Sequence, residues 1–334
     1  MSATRPTLED VARHAGVSRA LVSIIVRGAP GASEATRERV LRSAAHLGYR
    51  PNTMARRLSS HHTGTVGVVF SLGRAFHTEL VEHLYAASGD LELVLSAVTR
   101  GRTEQVALDA VLDQRPEAVI VVGGALSGEE LARAAGATPI AVALREVRHD
   151  RVDSVRTDEA AGIRAALDHL HRLGHRHVAH VDGGSAPGSR ARRRAYEGFL
   201  HDTPDMGPAR LLRGGMTEED GLRAAGELLS EGLGETTAVS VFNDRSALSL
   251  LDQLRRADVA VPGRVSVVGF DDIRASALAH VGLTTVRQDG SAIAAGLLAA
   301  VRRRLAQPDA AAQRVVIAPE LVVRSTTAPP ATPD

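Results

Sequence analysis

Residues 7–28, TLEDVARHAGVSRALVSIIVRG, constrain this chain more than any other stretch. Thr7 can cap a first helix with its hydroxyl, and Asp10, three residues on, is a short version of the reciprocal capping partner. Leu8, Val11, Ala12 and Ala15 recur at helical spacing and make one apolar face. Gly16 permits a tight stop, and Ser18 then caps a second run in which Val22, Ile25 and Val26 face inward. Arg19, Ala20 and Ser23 remain outward at the start of that run. Two short helices meeting at Gly16-Val17-Ser18 have the outline of a helix-turn-helix, in which the second helix enters the major groove of DNA while the first crosses the backbone. A helical hairpin inside a larger core would share this local pattern, so the residues that follow decide between the two.

Charge is the first of these. The net charge of +1 hides an asymmetry: residues 1–60 hold ten arginines against four acids, and the rest of the chain holds 30 against 35. A basic head on an acidic body is the electrostatic footprint of a DNA-binding module attached to something else. Ser33 caps a third helix running to about Leu47, with Val40, Leu41, Ala44 and Leu47 as its inner stripe and Gly48 as its stop. After the break at residues 49–52, Met54, Ala55 and Leu58 lie on one side of a short amphipathic piece and Arg56 and Arg57 on the other. Six or seven residues do not hold a helix alone in water, so DNA or a second copy of the chain is expected to order this one.

From Thr65 onward, β-branched runs such as TVGVVF, AVIVVGG, PIAVAL, HVAHVDG, AVSVF and VSVVGF alternate with helical stretches. That pattern predicts parallel sheets covered on both faces, and about ten such strands suit two doubly wound lobes better than one sheet. The proline-rich end of the chain reads as a disordered tail. Cysteine is absent, which excludes disulfides and thiol chemistry. With neither a membrane-length apolar run nor an apolar signal core at the N-terminus, the expected location is the cytoplasm.

Ligands of open parallel sheets sit beyond the carboxyl ends of the strands. The residues there include Ser71, Phe76, Gly123, Arg145, Asp158, Asp182, Asn243 and Asp271. Carboxylates, an amide and arginine planes facing one another suit a neutral polyhydroxylated ligand, with Phe76 and Phe242 as the available stacking groups. The competing reading of Asp158 and Asn243 is that they cap the helices that follow. His169, His171, His175, His177 and His180 crowd one stretch without an interleaved acid, so neither a metal nor any other cofactor is expected. No paired carboxylates or Ser-His-acid set stands out, which argues against an enzyme.

Several motifs in order identify a resemblance: TLEDVAxxAGVS at 7–18, LGYRPNxxARxL at 47–58, HxxxLGH at 169–175, FND at 242–244, VPGxVSVVGFDD at 261–272, LTTVRQ at 283–288 and PELVVRxST at 319–326. Over about residues 7–326 the chain resembles the lactose-repressor (LacI) family of bacterial transcription regulators. The fold this implies is an N-terminal all-α helix-turn-helix headpiece plus an α/β core of two doubly wound parallel-sheet lobes, like periplasmic binding proteins. The expected division is a headpiece at 1–50, a hinge helix and linker at 51–64, a core at 65–326 and a disordered tail at 327–334. Within the core, the N-lobe covers about 65–158 and 289–320, and the C-lobe about 159–288 and 321–326.

The resemblance further implies a homodimer, a double-stranded DNA operator and a small-molecule effector, most simply a carbohydrate, with a nucleobase or other metabolite as the alternative. An unrelated alternative is a sugar-metabolising enzyme on a doubly wound fold. The DNA-contacting set is then Thr7, Ser18, Arg19, Ala20, Ser23, Ile24, Arg27, Ser33, Thr36, Tyr49, Asn52, Ala55 and Leu58, with Leu58 matching the leucine that wedges into the minor groove. The effector set is Phe76, Arg145, Asp158, Arg192, Asn243 and Asp271, where Arg193 and Arg194 are the neighbouring registers for the ligand arginine. Ile24 departs from the arginine found in many relatives. It can touch a thymine methyl but cannot pair with guanine O6 and N7, so a different half-site is expected.

Overall fold

A computed structural model describes residues 6–26, 30–49 and 63–331. The chain divides into two compact units, Met1–Thr63 and Gly64–Asp334. The first holds α1 (Leu8–Ala15), α2 (Arg19–Val26) and α3 (Glu34–His46). At the start of α1 the Asp10 carboxylate accepts the Thr7 N–H at 2.8 Å, and the Thr7 hydroxyl accepts the Asp10 N–H at 3.3 Å. Gly16 takes a left-handed conformation, φ 65°, that stops the helix. The small core consists of Val11, Ala12, Ala15, Val22, Ile25, Val40 and Ala44. On α3 the stripe differs from the expected one. Leu41 is 48% exposed, and Ser43 takes its place inside by donating to the Arg39 carbonyl at 2.9 Å. Positions 40, 43, 44 and 47 share one helical face, and 41 lies at its edge.

The second unit contains two six-stranded sheets. The first sheet comprises β1 (Thr65–Ser71), β2 (Glu92–Val98), β3 (Ala118–Val122), β4 (Ile140–Ala143), β5 (Val152–Thr157) and β11 (Arg314–Ile317). Its order is β11-β5-β4-β3-β1-β2, parallel throughout. The second comprises β6 (Val178–Val181), β7 (Arg210–Leu212), β8 (Ala238–Val241), β9 (Ser266–Asp271), β10 (Thr284–Arg287) and β12 (Glu320–Val322). Its order is β12-β10-β9-β8-β6-β7, with β12 antiparallel.

Helices α4 (Ala75–Ala87), α5 (Glu104–Leu112), α6 (Gly128–Ala135) and α11 (Gly290–Ala306) cover the first sheet. Helices α7 (Glu159–Arg172), α8 (Ser189–Asp202), α9 (Glu218–Ser230) and α10 (Asp244–Arg256) cover the second. Burial on both faces is why the strands read as continuous apolar runs: Val66 and Val68 pack toward Leu80, Leu84 and Leu297, while Val69 and Val119 pack toward Leu108 and Leu131.

Strand order reverses between β1 and β3 in one sheet and between β6 and β8 in the other, which opens a crevice at each carboxyl edge. The chain passes between lobes at β5–α7, β10–α11 and β11–β12. Two of these passages are tied where the Asp158 N–H donates to the Ile317 carbonyl at 2.9 Å, and two where the Thr157 hydroxyl donates to Gln288 at 2.7 Å.

The expectation of a disordered tail from residue 327 is corrected for the described part. The His169 ring nitrogen lies 2.9 Å from the Thr327 hydroxyl, and the His175 Nε2 lies 2.9 Å from the Ala328 carbonyl. Thr326 is buried and donates to the Val267 carbonyl at 2.7 Å. A proline-rich segment that forms no structure of its own is thus held by polar groups of the C-lobe. Among the described residues no helix is long and apolar enough to cross a membrane.

Candidate ligand cleft and nucleic-acid interface

The two switch points face each other across one cleft. Arg74, Phe76 and His77 enter from the end of β1, Gly123 from β3 and Leu144 from β4. Pro187 and Arg192 follow β6, Phe242 and Asn243 follow β8, Asp271 and Ile273 follow β9, and Gln288 follows β10. The enclosed space is about 70 Å³. It is narrowed by ties between the lobes: the Arg274 N–H donates to Glu79 at 3.1 Å, Arg274 pairs with Glu82, and Arg245 donates to the Gly73 carbonyl. These ties are solvent-exposed and individually weak, so parting the lobes to admit a ligand costs little in ion pairing.

Arg192 is 4% exposed and is the central fixed charge. It pairs with Glu159, donates to the Phe242 carbonyl, and lies with its guanidinium carbon 3.4 Å from the Phe270 ring centroid and 4.6 Å from that of Phe242. Of the arginine run, Arg192 is the one that lines the cleft, whereas Arg193 turns outward to Glu197 at 2.9 Å and Arg194 is exposed. Asp271 has φ 126° and Asp272 φ 57°, both in the half of backbone space that favours glycine. Such residues cost on the order of 1–3 kcal/mol and persist only where their surroundings fix them. Here Gln288 donates to Asp271 at 2.7 Å, while Arg287 and Arg324 each reach Asp272 at 2.7 Å. Burial first, and then the neighbouring Asp244 charge, push the Asp271 carboxyl above the usual carboxylate range, against the pull of Arg192. Behind it, buried Asp244 accepts from the Ser276 hydroxyl at 2.6 Å, the Ile273 N–H at 3.0 Å and the Thr285 hydroxyl. Its carboxyl is also raised, by burial foremost.

Phe76, Arg192, Asn243 and Asp271 therefore line the cleft. Asn243 also caps α10, accepting the Ser246 N–H at 2.9 Å, and donates to the Met216 carbonyl at 3.2 Å. Asp158 and Arg145 are corrections. Asp158 is not among the lining residues; its carboxylate caps α7 by accepting the Ala161 N–H at 3.0 Å, and the following residue, Glu159, reaches the cleft instead. Arg145 donates to the carbonyls of Gly123, at 2.9 Å, and Leu126, so its guanidinium fixes the loop after β3. Reading strand ends also missed Arg74, His77, Arg245 and Gln288. His77 packs so close to Gly123, φ 72°, that a Cβ there would lie 2.6 Å from the imidazole. Burial, with Arg74 beside it, holds the His77 pKa down to about 3.

In the first unit Ser18, Arg19 and Ala20 are exposed at the start of α2, and Ser23 and Ile24 are half-buried on its next turn. The Ser18 hydroxyl accepts the Leu21 N–H at 3.2 Å. The Ser33 hydroxyl lies 2.9 Å from that of Thr36 at the start of α3, and Tyr49 packs on the small core. Thr7 is exposed and occupied with its capping box. Arg27, Asn52, Ala55, Leu58 and almost all of the expected hinge segment lie outside the described residues. The crowded histidines serve the fold: His171 pairs with Asp205 at 3.0 Å, and His169 and His175 hold the C-terminal segment. No group of three or more potential metal ligands occurs among the described residues.

Comparison with known proteins follows this division. Residues 7–52 match the lacI family of bacterial regulatory proteins, and residues 167–327 match the periplasmic binding protein-like domain. Catabolite control protein A of Priestia megaterium is 30% identical over 305 residues, covering 87% of this chain and 91% of its own. The solved lac repressor dimer bound to operator and the anti-inducer ONPF is 27% identical, with a TM-score of 0.82 over 97% of this chain and 100% of that one. The transcriptional regulator CelR in complex with cellobiose is 28% identical, with a TM-score of 0.69 over 96% of this chain and 100% of its own. Sequence, fold and relatives agree that the chain belongs to the LacI family, as a DNA-binding transcription regulator and not an enzyme.

Proposed function

We propose that this regulator is a repressor that binds a palindromic operator as a homodimer and is switched by a small effector, a sugar, held in the core cleft. The observation that carries the reading is the wiring of the cleft. Asp271 accepts from Gln288, and Gln288 in turn accepts from Thr157, so a ligand-facing carboxyl is joined to two of the three passages between lobes. A ligand that bridges the lobes selects one closure state, and differential affinity for that state is what shifts the equilibrium. The relatives support the chemistry and the assembly: CelR is solved with cellobiose, and the lac repressor as a dimer on operator. The exposed apolar side chains Leu72, Tyr85 and Leu95 on one lobe supply surface for a partner copy. In this reading residues 51–64 pair across the dimer on the operator. Ile24 and Arg19 share the base readout, Ile24 against a thymine methyl. Such a protein works where the chromosome is, which places it in the cytoplasm.

The test selects binding sites from random DNA with the full-length protein and then titrates candidate sugars into the complex. A palindromic site whose affinity changes with a sugar is expected, and Asp271→Ala is expected to abolish the response while leaving site binding intact. A normal response in that variant rejects the cleft assignment.

A further inference from the structure

One end of the cleft is an open helix start. Helix α4 begins there without a side-chain cap, as α8 does behind Gly188, whereas α5, α6, α7, α9, α10 and α11 are capped by Thr103, Ser127, Asp158, Thr217, Asn243 and Asp289. Its thirteen residues align their peptide dipoles toward the cleft, and the N–H groups of Ala75, Phe76 and His77 have no acceptor among the described residues. A free helix N-terminus of this length favours an anion through both its dipole and its unpaired donors.

Two side chains at the same place point the same way. His77 is 5% exposed, and its Nδ1 accepts the Ser71 N–H at 3.4 Å, which leaves the proton of the neutral ring on Nε2. That Nε2–H lacks an acceptor among the described residues and borders the cleft. Arg74 occupies the capping position itself, and its guanidinium makes neither a hydrogen bond nor an ion pair among the described residues. The other arginines of the cleft are engaged, Arg192 by Glu159 and Arg245 by Glu218. Five N–H donors on one half-buried guanidinium and a buried imidazole N–H form an incomplete hydrogen-bonding set.

We propose that this end of the cleft is an oxyanion subsite, so that the effector carries a phosphate or carboxylate group received by the α4 N-terminus, Arg74 and His77. The proposal rests on the effector-binding reading of the cleft and narrows its ligand class. The raised Asp271 carboxyl, facing the same space, lessens the repulsion an anion would meet. Glu104, whose Oε2 accepts the N–H groups of Ala125 and Leu126 at 2.6 and 3.2 Å, is the internal competitor for Arg74, and its Oε1 is buried and unpaired.

The experiment titrates the full-length protein with glucose 6-phosphate, gluconate, inorganic phosphate and glucose at constant ionic strength, by calorimetry and thermal shift. At least one anionic probe is expected to bind at least tenfold more tightly than glucose. Arg74→Gln is expected to erase that preference and Arg74→Lys to restore part of it. The phosphate and carboxylate probes separate the two sources of the anion. An absence of any Arg74-dependent response to every anionic probe overturns the proposal. Anionic probes that bind no more tightly than glucose, through Asp271 and regardless of Arg74, sink the subsite and keep the effector cleft. Arg74-dependent anion binding without any change in operator affinity keeps the subsite and sinks the switch.

Discussion

The imidazole of His180 is fully buried, stacked on Tyr196 with ring centroids 5.1 Å apart, and its Nε2 lacks a partner among the described residues. Burial, the largest cause, holds its pKa down to about 4. The unfolded chain, with an ordinary imidazole near pH 6.5, therefore binds a proton that the folded protein refuses until about pH 4. The stabilisation is full above pH 6.5 and is lost as pH falls from there toward 4. Urea unfolding of the wild type and of His180→Phe at pH 7 and pH 5 should show the loss between the two pH values shrinking by about 2 kcal/mol in the variant. The raised carboxyls of Asp244 and Asp271 act in the opposite direction, favouring the folded state at low pH, but they are common to both proteins and cancel in the difference. Equal losses in the two proteins would show that His180 takes up its proton in the folded state.

At the scale of elements, the C-terminal segment separates a reading from composition and a reading from contacts. Removing residues 327–334 would be neutral if the segment were free. Its loss instead removes the His169–Thr327 and His175–Ala328 contacts and the bond from the Ala328 N–H to Ser266. Losing these bonds together, with the Ser266 hydroxyl left 3.1 Å from the Nε2 of buried His175, is expected to lower stability by about 2 kcal/mol, read as a lower urea midpoint at unchanged slope. An unchanged midpoint would return the segment to the status of a loose end.

Contacts of this kind are invisible to local pattern, and the same limit runs through the rest of the molecule. The capping of α1 by Thr7 and the apolar faces of α1 and α2 were legible because they depend on spacing within one element. The strands β10, β11 and β12 leave little trace in the sequence, because each is three or four residues long and β11 is an edge strand with alternate residues exposed. In the cleft, Phe76, Asn243 and Asp271 followed from the strand-end rule. Glu159 and Gln288 act through partners 33 and 131 residues away, which no window of sequence reveals. Arg74 was discoverable: an arginine stands before α4 in the position where Ser, Thr, Asp or Asn would signal a closed helix start.

The whole molecule joins a basic unit, whose exposed Arg19 lies at the start of α2, to a core whose cleft groups are linked to the passages between its lobes. The core begins under restraint: the Gly64 N–H donates to Glu117 at 3.1 Å, and the Gly64 carbonyl accepts the Glu92 N–H at 2.8 Å. The chain thus enters the N-lobe at a fixed point, which is where the proposed switch would pass a change in lobe closure toward the first unit. If one closure equilibrium serves both ligands, linkage requires that each change the other's affinity by the same factor, typically about 5- to 150-fold. The expected outcome is that the operator dissociation constant with and without effector, and the effector dissociation constant with and without operator, give a single ratio. Salt supplies a second axis. Operator affinity should fall steeply with ionic strength, because arginines displace counterions from phosphates, whereas the coupling ratio, set inside the core, should stay nearly constant. Gel-shift and calorimetric titrations at several salt concentrations measure both quantities. Unequal ratios, or a ratio that tracks salt as strongly as the affinity itself, would mean that effector and operator meet at the DNA surface rather than through closure of the lobes.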